Sequence, residues 1–230
     1  MKTVLCLGAS IMQIEAIKKA KEMGYYTIAV DYDRNAAGRD LADEFYEVST
    51  IDVAAVLNVA KKCHIDGVVT VATDMPVRTA AVLSEELGIP GISKEVAIRA
   101  TDKIEMIKAF QKHQVPSPKF WIVENDASFQ RQKKELEYPV IFKPQESSGS
   151  RGVILVKREE DTRQAYEYTK SFSKTGEILI EEYLDGPEVS VEVICENKEV
   201  HVLAITDKLT TGHLFCRNGA LPAIGIFRRN

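Results

Sequence analysis

The sequence has few cysteines, no long apolar run and no block of charge of one sign. Its four cysteines are scattered without a C-x-x-C pair, which argues against a zinc site or a disulfide framework and favours reduced thiols in the cytoplasm. The four histidines form neither H-E-x-x-H nor a Cys/His cluster, so the sequence nominates no metal ligand and no protein nucleophile. The cysteines are Cys6, Cys63, Cys195 and Cys216.

Charge and hydropathy exclude two further classes of partner. The net charge is -4, from 30 Lys+Arg against 34 Asp+Glu, which offers no electrostatic footprint for nucleic acid. No apolar run reaches membrane-spanning length, and Met1-Lys2 leads directly into a short strand, so we expect no membrane partner and no signal peptide. With 45% apolar and 28% charged residues, the 230-residue chain has the composition of one large or two small globular domains.

The first part of the chain alternates strand and helix patterns. An apolar strand at 3–7 ends at Gly8, a helix follows with Ile14 and Ile17 on its apolar side, and a strand at 27–30 closes at Asp31. The alternation continues to residue 87, and a breaker cluster at 88–91 ends it. We therefore predict a Rossmann-like, doubly wound α/β domain over residues 1–91.

Gly8 and Asp31 raise a different hypothesis, that of an NAD-binding protein. An acid about twenty residues after a glycine turn is the arrangement that a ribose contact requires. The dinucleotide fingerprint has three glycines, however, and Ser10, Ile11 and Gln13 occupy that turn here. The alternative is that Gly8 makes a tight turn and Asp31 ends a strand.

The region from 140 to 192 carries two nucleotide-like signals. The first is the apolar strand 140–144 with Lys143 at its exit, followed by a loop of small residues that contains Ser148, Gly149, Ser150 and Gly152. Such a loop can point several N–H groups at an anion, and Lys143 needs a compensating charge on an apolar strand. A Ser/Gly hairpin loop with a lysine reaching water would give the same pattern. No Gly-Lys-Ser/Thr follows, so this is not a P-loop.

The second signal, at 178–192, is a strand, an Asp-Gly-Pro turn and a second strand, with acids at both edges of the turn. A surface hairpin would explain it without a ligand. Taken together, the two signals make nearly the whole chain resemble the ATP-grasp superfamily, which includes biotin carboxylase, D-alanine–D-alanine ligase and the carbamoyl-phosphate synthase large chain. The resemblance implies a pre-ATP-grasp domain at 1–91 and an incomplete ATP-grasp domain at 92–230, with an α+β lid at about 116–176.

The resemblance also implies the nucleotide-binding residues. Lys143 would precede the lid loop, the Glu181–Leu184 segment would lie along the adenine, and Glu188 would hold the ribose hydroxyls. Lys103, which follows the helix-capping Asp102, would reach the phosphates unless it is a solvated lysine. The full implied set is Lys103, Lys143, Ser148, Gly149, Ser150, Gly152, Glu181, Glu182, Tyr183, Leu184, Glu188 and Lys208.

The implied activity is that of an ATP- and Mg²⁺-dependent ligase in the cytoplasm. A small-molecule carboxylate would be activated as an acyl phosphate and attacked by an amine or another nucleophile, and a homodimer is kept as a possible assembly. The resemblance places the metal site in a Glu and a Glu-x-Asn segment further downstream. Residues 214–230 contain no acid, and we expect the tail after about Gly212 to be a frameshifted reading of a longer gene. Nucleotide binding without turnover therefore stays open for this chain.

Overall fold

Residues 1–197 and 199–208 are described by the structure, a computed structural model, and they belong to two units. The first unit comprises Met1–His113, and the second begins at Gln114. This division by compactness falls later in the chain than the predicted domain limit at residue 91. The assignment of 1–91 and 92–230 to two domains of the family, with a lid at about 116–176, stays a prediction.

The first unit contains a four-stranded sheet whose strands are all parallel, in the order β3-β2-β1-β4. The strands are β1 (Thr3–Leu7), β2 (Tyr26–Asp31), β3 (Glu44–Glu47) and β4 (Gly67–Val69). The helices are α1 (Ile14–Glu22), α2 (Val53–Lys62), α3 (Met75–Leu87), α4 (Lys94–Thr101) and α5 (Lys103–Lys112), with a 3-10 turn at Arg39–Leu41.

The side chains of β1 alternate between two cores because successive residues of a strand point to opposite faces. Leu5 and Leu7 pack in one buried cluster with Val56 of α2, whereas Cys6 packs in another with Ile17 of α1. Both faces of the parallel sheet are therefore covered, and the predicted doubly wound α/β class is confirmed. Burial raises the pKa of the Cys6 thiol to about 11, so this thiol stays protonated at neutral pH.

The second unit contains a four-stranded antiparallel sheet in the order β5-β8-β6-β7 and a separate two-stranded hairpin, β9-β10. The strands are β5 (Phe120–Val123), β6 (Val140–Pro144), β7 (Ile154–Val156), β8 (Ile178–Glu182), β9 (Val189–Glu196) and β10 (Glu199–Asp207). The helices are α6 (Asp126–Gln132) and α7 (Thr162–Lys170), with 3-10 turns at Lys133–Glu135 and Glu159–Asp161.

One face of the antiparallel sheet packs on these two helices. Phe142 of β6 and Ile180 of β8 are buried against Phe129 of α6 and Tyr166 of α7. The rings of Phe129 and Tyr166 stack with their centroids 4.0 Å apart. Trp121 packs against the same cluster, and this layer holds β6 and β8 in place for the polar residues on their opposite face.

Two of the helices are shorter than the sequence pattern predicted. A helix expected at about 128–136 starts at Asp126 because Asn125 and Ser128 form a reciprocal capping box, and it tightens into a 3-10 turn after residue 132. A helix expected at 159–173 starts at Thr162, since a 3-10 turn held by ion pairs from Arg158 to Glu160 and Asp161 precedes it.

Valines alternate with polar residues along β9, but the β9-β10 hairpin does not bury its apolar face. Val189, Val191 and Val193 are all about half exposed, because no layer of the described residues packs against the hairpin. Within the described ranges, none of the helices combines the length and the apolar character needed to cross a membrane. The tail after about Gly212, which the sequence predicts to be a frameshifted reading, lies outside the described residues, as does Cys216.

Candidate functional site

Lys143 and Glu181 meet on the face of the antiparallel sheet that points away from α6 and α7. Lys143 lies opposite Leu179 and Glu181 lies opposite Ile141, so the two charged residues are diagonal neighbours on β6 and β8. Their side chains, 27% and 12% exposed, form a direct ion pair. Glu181 is therefore the compensating charge that a lysine on this apolar strand requires.

The loop between β6 and β7 contains two consecutive residues in the left-handed region at its tip. Gly149 has φ +64 and Ser150 has φ +56, and both are exposed. Two hydrogen bonds fold the loop back on itself, from Arg151 Nε to the Ser148 carbonyl (3.2 Å) and from the Val153 amide to the Ser150 carbonyl (3.3 Å). A tight turn of this kind can present amides and hydroxyls to an anion.

The segment after Glu181 takes different roles from residue to residue. Glu182 points to the opposite face of β8, and its carboxylate accepts a hydrogen bond from the Lys119 amide at 3.1 Å. The Glu182 amide donates to the Lys119 carbonyl, so Glu182 fixes the chain just before β5. The Tyr183 amide donates to the Pro139 carbonyl at 3.2 Å, and the Leu184 side chain is exposed.

Glu188 and Lys208 join the open end of the β9-β10 hairpin. The Lys208 ammonium lies 2.7 Å from the Glu188 carboxylate, and the Lys208 amide donates to the Glu188 carbonyl at 2.9 Å. The two side chains are 42% and 35% exposed. The pair of Lys208 and Glu188 is thus more exposed than the pair of Lys143 and Glu181.

Lys103 lies in the first unit, at the first residue of α5. Asp102 precedes it and caps the helix, accepting hydrogen bonds from the amides of Ile104 (3.0 Å) and Glu105 (3.1 Å), so the predicted cap is confirmed. Arg78 of α3 approaches this cap, with its guanidinium 3.8 Å from the Asp102 carboxylate. Lys103 is half-buried, and its place at a capped helix start is what the sequence predicted.

The turn after β1 uses Asp31 as part of the fold. The Asp31 carboxylate is 7% exposed and accepts hydrogen bonds from the amides of Ala9 (2.8 Å) and Asp33 (3.0 Å). Gly8 has φ +102, and a Cβ added to Gly8 would lie 3.1 Å from the side chain of Gln13. This geometry corresponds to the simpler of the two interpretations of Gly8 and Asp31, in which one makes a turn and the other ends a strand.

The sequence analysis missed two buried glutamines that organise loops. Gln13 accepts from the Ser10 hydroxyl (2.6 Å) and donates to the Val71 carbonyl (2.7 Å), and Gln145 accepts from the Thr175 hydroxyl (2.8 Å). The partners Val71 and Thr175 are 58 and 30 residues away in sequence, so no local pattern identifies these contacts. Among residues 1–197 and 199–208, no three His, Cys, Asp or Glu side chains form a group that could hold a metal ion.

Comparisons with known proteins place these residues in a family. The sequence profile of the ATP-grasp domain matches residues 100–225. Formate-dependent phosphoribosylglycinamide formyltransferase from Prochlorococcus marinus (strain MIT 9515) is 29% identical over 188 residues, which cover 80% of this chain and 48% of that relative. The chain therefore spans about half the length of the curated relatives it matches.

Solved structures share the fold. An L-amino acid ligase from Bacillus licheniformis superposes with a TM-score of 0.77 and 20% identity, over 100% of this chain and 56% of that chain. The biotin carboxylase domain of the Hydrogenobacter thermophilus 2-oxoglutarate carboxylase, solved as a dimer with MgADP, ADP and bicarbonate, gives a TM-score of 0.75 and 22% identity, over 90% of this chain and 50% of that chain.

The fold and the matched profile together define the class. The profile covers more than half of the chain and includes the Lys143 strand, the loop after it and the Glu181 strand. This chain belongs to the ATP-grasp family.

Proposed function

We propose that this chain binds ATP and that the protein uses ATP to join a carboxylate to an amine. The carboxylate oxygen attacks the γ-phosphorus, the bond from that phosphorus to the β–γ bridging oxygen breaks, and ADP leaves. The amine then attacks the acyl carbon, loses a proton and displaces phosphate. The observation that carries the proposal is the ion pair of Lys143 and Glu181 next to the start of the loop after β6. The tip of this loop has two consecutive residues, Gly149 and Ser150, in the left-handed region.

Each of these groups has a task that its chemistry suits. A lysine about 4 Å from a phosphate charge contributes roughly 4 kcal/mol at an effective dielectric near 20, before desolvation. Glu181 orients the Lys143 ammonium until the ligand arrives, and the loop amides neutralise phosphate charge. We assign Lys103 and Lys208 to the same phosphates and Glu188 to the ribose hydroxyls, following the family resemblance.

The substrate class follows from chemistry and is supported by the relatives. A carboxylate is a poor electrophile, and a phosphate supplies the leaving group that it lacks. The names of the matched proteins include a formate-dependent formyltransferase and an L-amino acid ligase, which fits a carboxylate and an amine as the two substrates. We further propose a cytoplasmic location, in agreement with the free thiols of Cys6, Cys63 and Cys195, and a homodimer, as in the biotin carboxylase domain.

We propose Mg²⁺ as the counter-ion of ATP, because Mg²⁺ binds nucleotides through their phosphates and keeps several waters. A structural neighbour contains MgADP. The described residues supply no group of three His, Cys, Asp or Glu side chains that could hold the ion without the nucleotide.

The direct test is nucleotide binding by Lys143→Ala. We expect its affinity for ATP, measured by titration calorimetry, to fall by at least about tenfold. Lys133→Ala is the matched control, since Lys133 is 29% exposed and pairs with Glu159 at 3.5 Å but is not among the proposed nucleotide-binding residues. Equal affinities of the Lys143 variant and the wild type would remove the central claim.

Two other outcomes would favour the alternative functions. Tight ATP binding without ADP release, with any tested pair of acid and amine, would indicate a nucleotide-binding protein without turnover. Binding of NAD in place of ATP, lost in Asp31→Ala, would indicate a dinucleotide-binding protein.

A further inference from the structure

Both ends of the loop after β6 are attached to one short segment. This segment, residues 171–177, connects α7 to β8, and we call it the α7–β8 connector. At the start of the loop, the buried Gln145 accepts a hydrogen bond from the Thr175 hydroxyl at 2.8 Å, and the Gln145 amide donates to the Glu177 carbonyl at 3.3 Å. The side chain and the backbone of Gln145 are thus both held by the connector.

The far end of the loop is held by packing. Gly152 is buried at φ +74, and a Cβ placed there would lie 2.6 Å from Phe172 Cβ and 2.8 Å from Pro144 Cγ. No side chain fits at this position without displacing the Phe172 ring or the end of β6. Gly152 therefore serves as an anchor against the connector, whereas the exposed Gly149 and Ser150 form the tip.

The connector has its own internal order. The Ser173 hydroxyl donates to the Glu177 carbonyl at 2.7 Å and lies 3.2 Å from the Thr175 hydroxyl, while the Glu177 amide donates to the Thr175 hydroxyl at 3.2 Å. The Phe172 ring packs edge-on against Tyr168 of α7, with centroids 5.0 Å apart. Because the connector is ordered and joined to α7 and β8, it can restrain the position of the loop relative to these two elements.

We propose that Thr175 and Phe172 are positioning residues that set the loop tip for binding the phosphates of ATP. The inference rests on the proposed function. A loop whose two ends are fixed loses less conformational freedom when its amides close on a ligand, so fixing the ends strengthens binding. The effect should be specific for the phosphate tail, since Glu181, at the start of the segment assigned to the adenine, is held by β8.

The test compares ATP with AMP on the full chain by titration calorimetry. Thr175→Val keeps the shape of the side chain and removes the hydrogen bond to Gln145, so we expect ATP affinity to fall roughly fivefold and AMP affinity to stay within about twofold. Thr175→Ser keeps the hydroxyl and should restore ATP binding. Thr169→Val is the matched control, because the buried Thr169 hydroxyl has no hydrogen-bond partner in the described structure.

Phe172→Leu tests the other anchor and serves if Thr175→Val does not fold. It should also weaken ATP more than AMP, and it should raise amide hydrogen exchange within residues 146–151 of the free protein. ATP binding at the wild-type level in the folded variants, or an equal loss for ATP and AMP, would overturn the inference alone. A wild-type chain that binds neither nucleotide would overturn the proposed function and this inference with it.

Discussion

Three aspartates of the first unit are bound by backbone amides, whereas two glutamates that follow the family motif in the second unit are bound by lysine side chains. In the first unit, Asp31, Asp43 and Asp102 each accept at least one hydrogen bond from a backbone amide. In the second unit, the side chains of Glu181 and Glu188 are paired with the ammonium groups of lysines. A carboxylate bound by amides cannot leave them without a change of backbone, whereas a pair of side chains can exchange its partner for a ligand.

This difference shows how a motif in the sequence becomes a site or a part of the fold. Gly8 with Asp31 matches part of a dinucleotide-binding pattern, and Lys143 with Glu181 matches the ATP-grasp pattern. The Asp31 carboxylate holds the turn after β1 with both of its oxygens, so a ribose would compete with the fold. Lys143 and Glu181 remain partly exposed, and a phosphate or a base can share them.

The largest effect is expected for Asp31→Ala. Removing this buried carboxylate leaves the amides of Ala9 and Asp33 without their acceptor, and we expect the free energy of unfolding of the first unit to fall by about 2–4 kcal/mol. Urea denaturation measures this change. ATP affinity should remain at the wild-type level, because the proposed nucleotide site does not include Asp31.

Asp33→Ala is the control for Asp31→Ala, since the Asp33 carboxylate is exposed and accepts from the Asn35 amide at 2.9 Å. It should lower the free energy of unfolding by less than about 1 kcal/mol. If Asp31→Ala were as stable as Asp33→Ala and bound ATP less well, Asp31 would belong to a ligand site, and the contrast between the two units would be wrong.

Sequence reasoning succeeded where the signal was local and failed where it was not. The strand–helix alternation predicted the parallel sheet, Asp102 predicted a helix cap, and Lys143 on an apolar strand predicted a compensating charge. The partner of Gln145 is 30 residues away, and neither residue breaks a hydrophobic pattern. The exposure of the β9-β10 hairpin likewise depends on which layers pack on it, and alternation alone does not determine that.

A smaller, pH-dependent effect is expected for Asp43. Hydrogen bonds from Lys21 and from the Thr27 amide lower the pKa of the Asp43 carboxyl from 3.8 to about 2. Because the folded pKa lies below the unfolded value, the stabilisation is complete above about pH 4 and is lost as the pH falls towards 2. Asp43→Asn should lower the free energy of unfolding at pH 7 by about 1–2 kcal/mol.

Unfolding titrations from pH 7 to pH 2 check the Asp43 prediction. The difference between Asp43→Asn and the wild type should shrink below pH 4, whereas the fully exposed Asp40, changed to Asn, should show little difference at any pH. If the difference in free energy of unfolding between Asp43→Asn and the wild type stayed constant from pH 7 to pH 2, the loss of stability would come from packing and not from the charge of Asp43.

Removing the cap of α5 should lower the free energy of unfolding by an amount similar to or smaller than that expected for Asp43→Asn. Asp102→Ala removes the acceptor of two helix amides, and a lost cap of this kind lowers the free energy of unfolding by about 1 kcal/mol. Asp102→Ser keeps a capping oxygen and should recover most of the stability. If Asp102→Ala also weakens ATP binding and Asp102→Ser does not, the cap positions Lys103 for the phosphates.

The smallest effect on stability is expected for the ion pair of Lys208 and Glu188. Because Lys208 and Glu188 are more exposed than Lys143 and Glu181, a double-mutant cycle with Lys208→Ala and Glu188→Gln should give a coupling of less than about 1 kcal/mol. The cycle with Lys143→Ala and Glu181→Gln should give a larger coupling, since water screens that pair less.

Measuring ATP affinity on the same variants separates two roles for Lys208. A lysine that only closes the hairpin leaves ATP affinity unchanged, whereas one that faces the phosphates lowers it severalfold with little change in stability. Equal coupling energies in the two cycles would mean that the lower exposure of Lys143 and Glu181 does not strengthen their ion pair. The case for Lys143 would then rest on nucleotide binding alone.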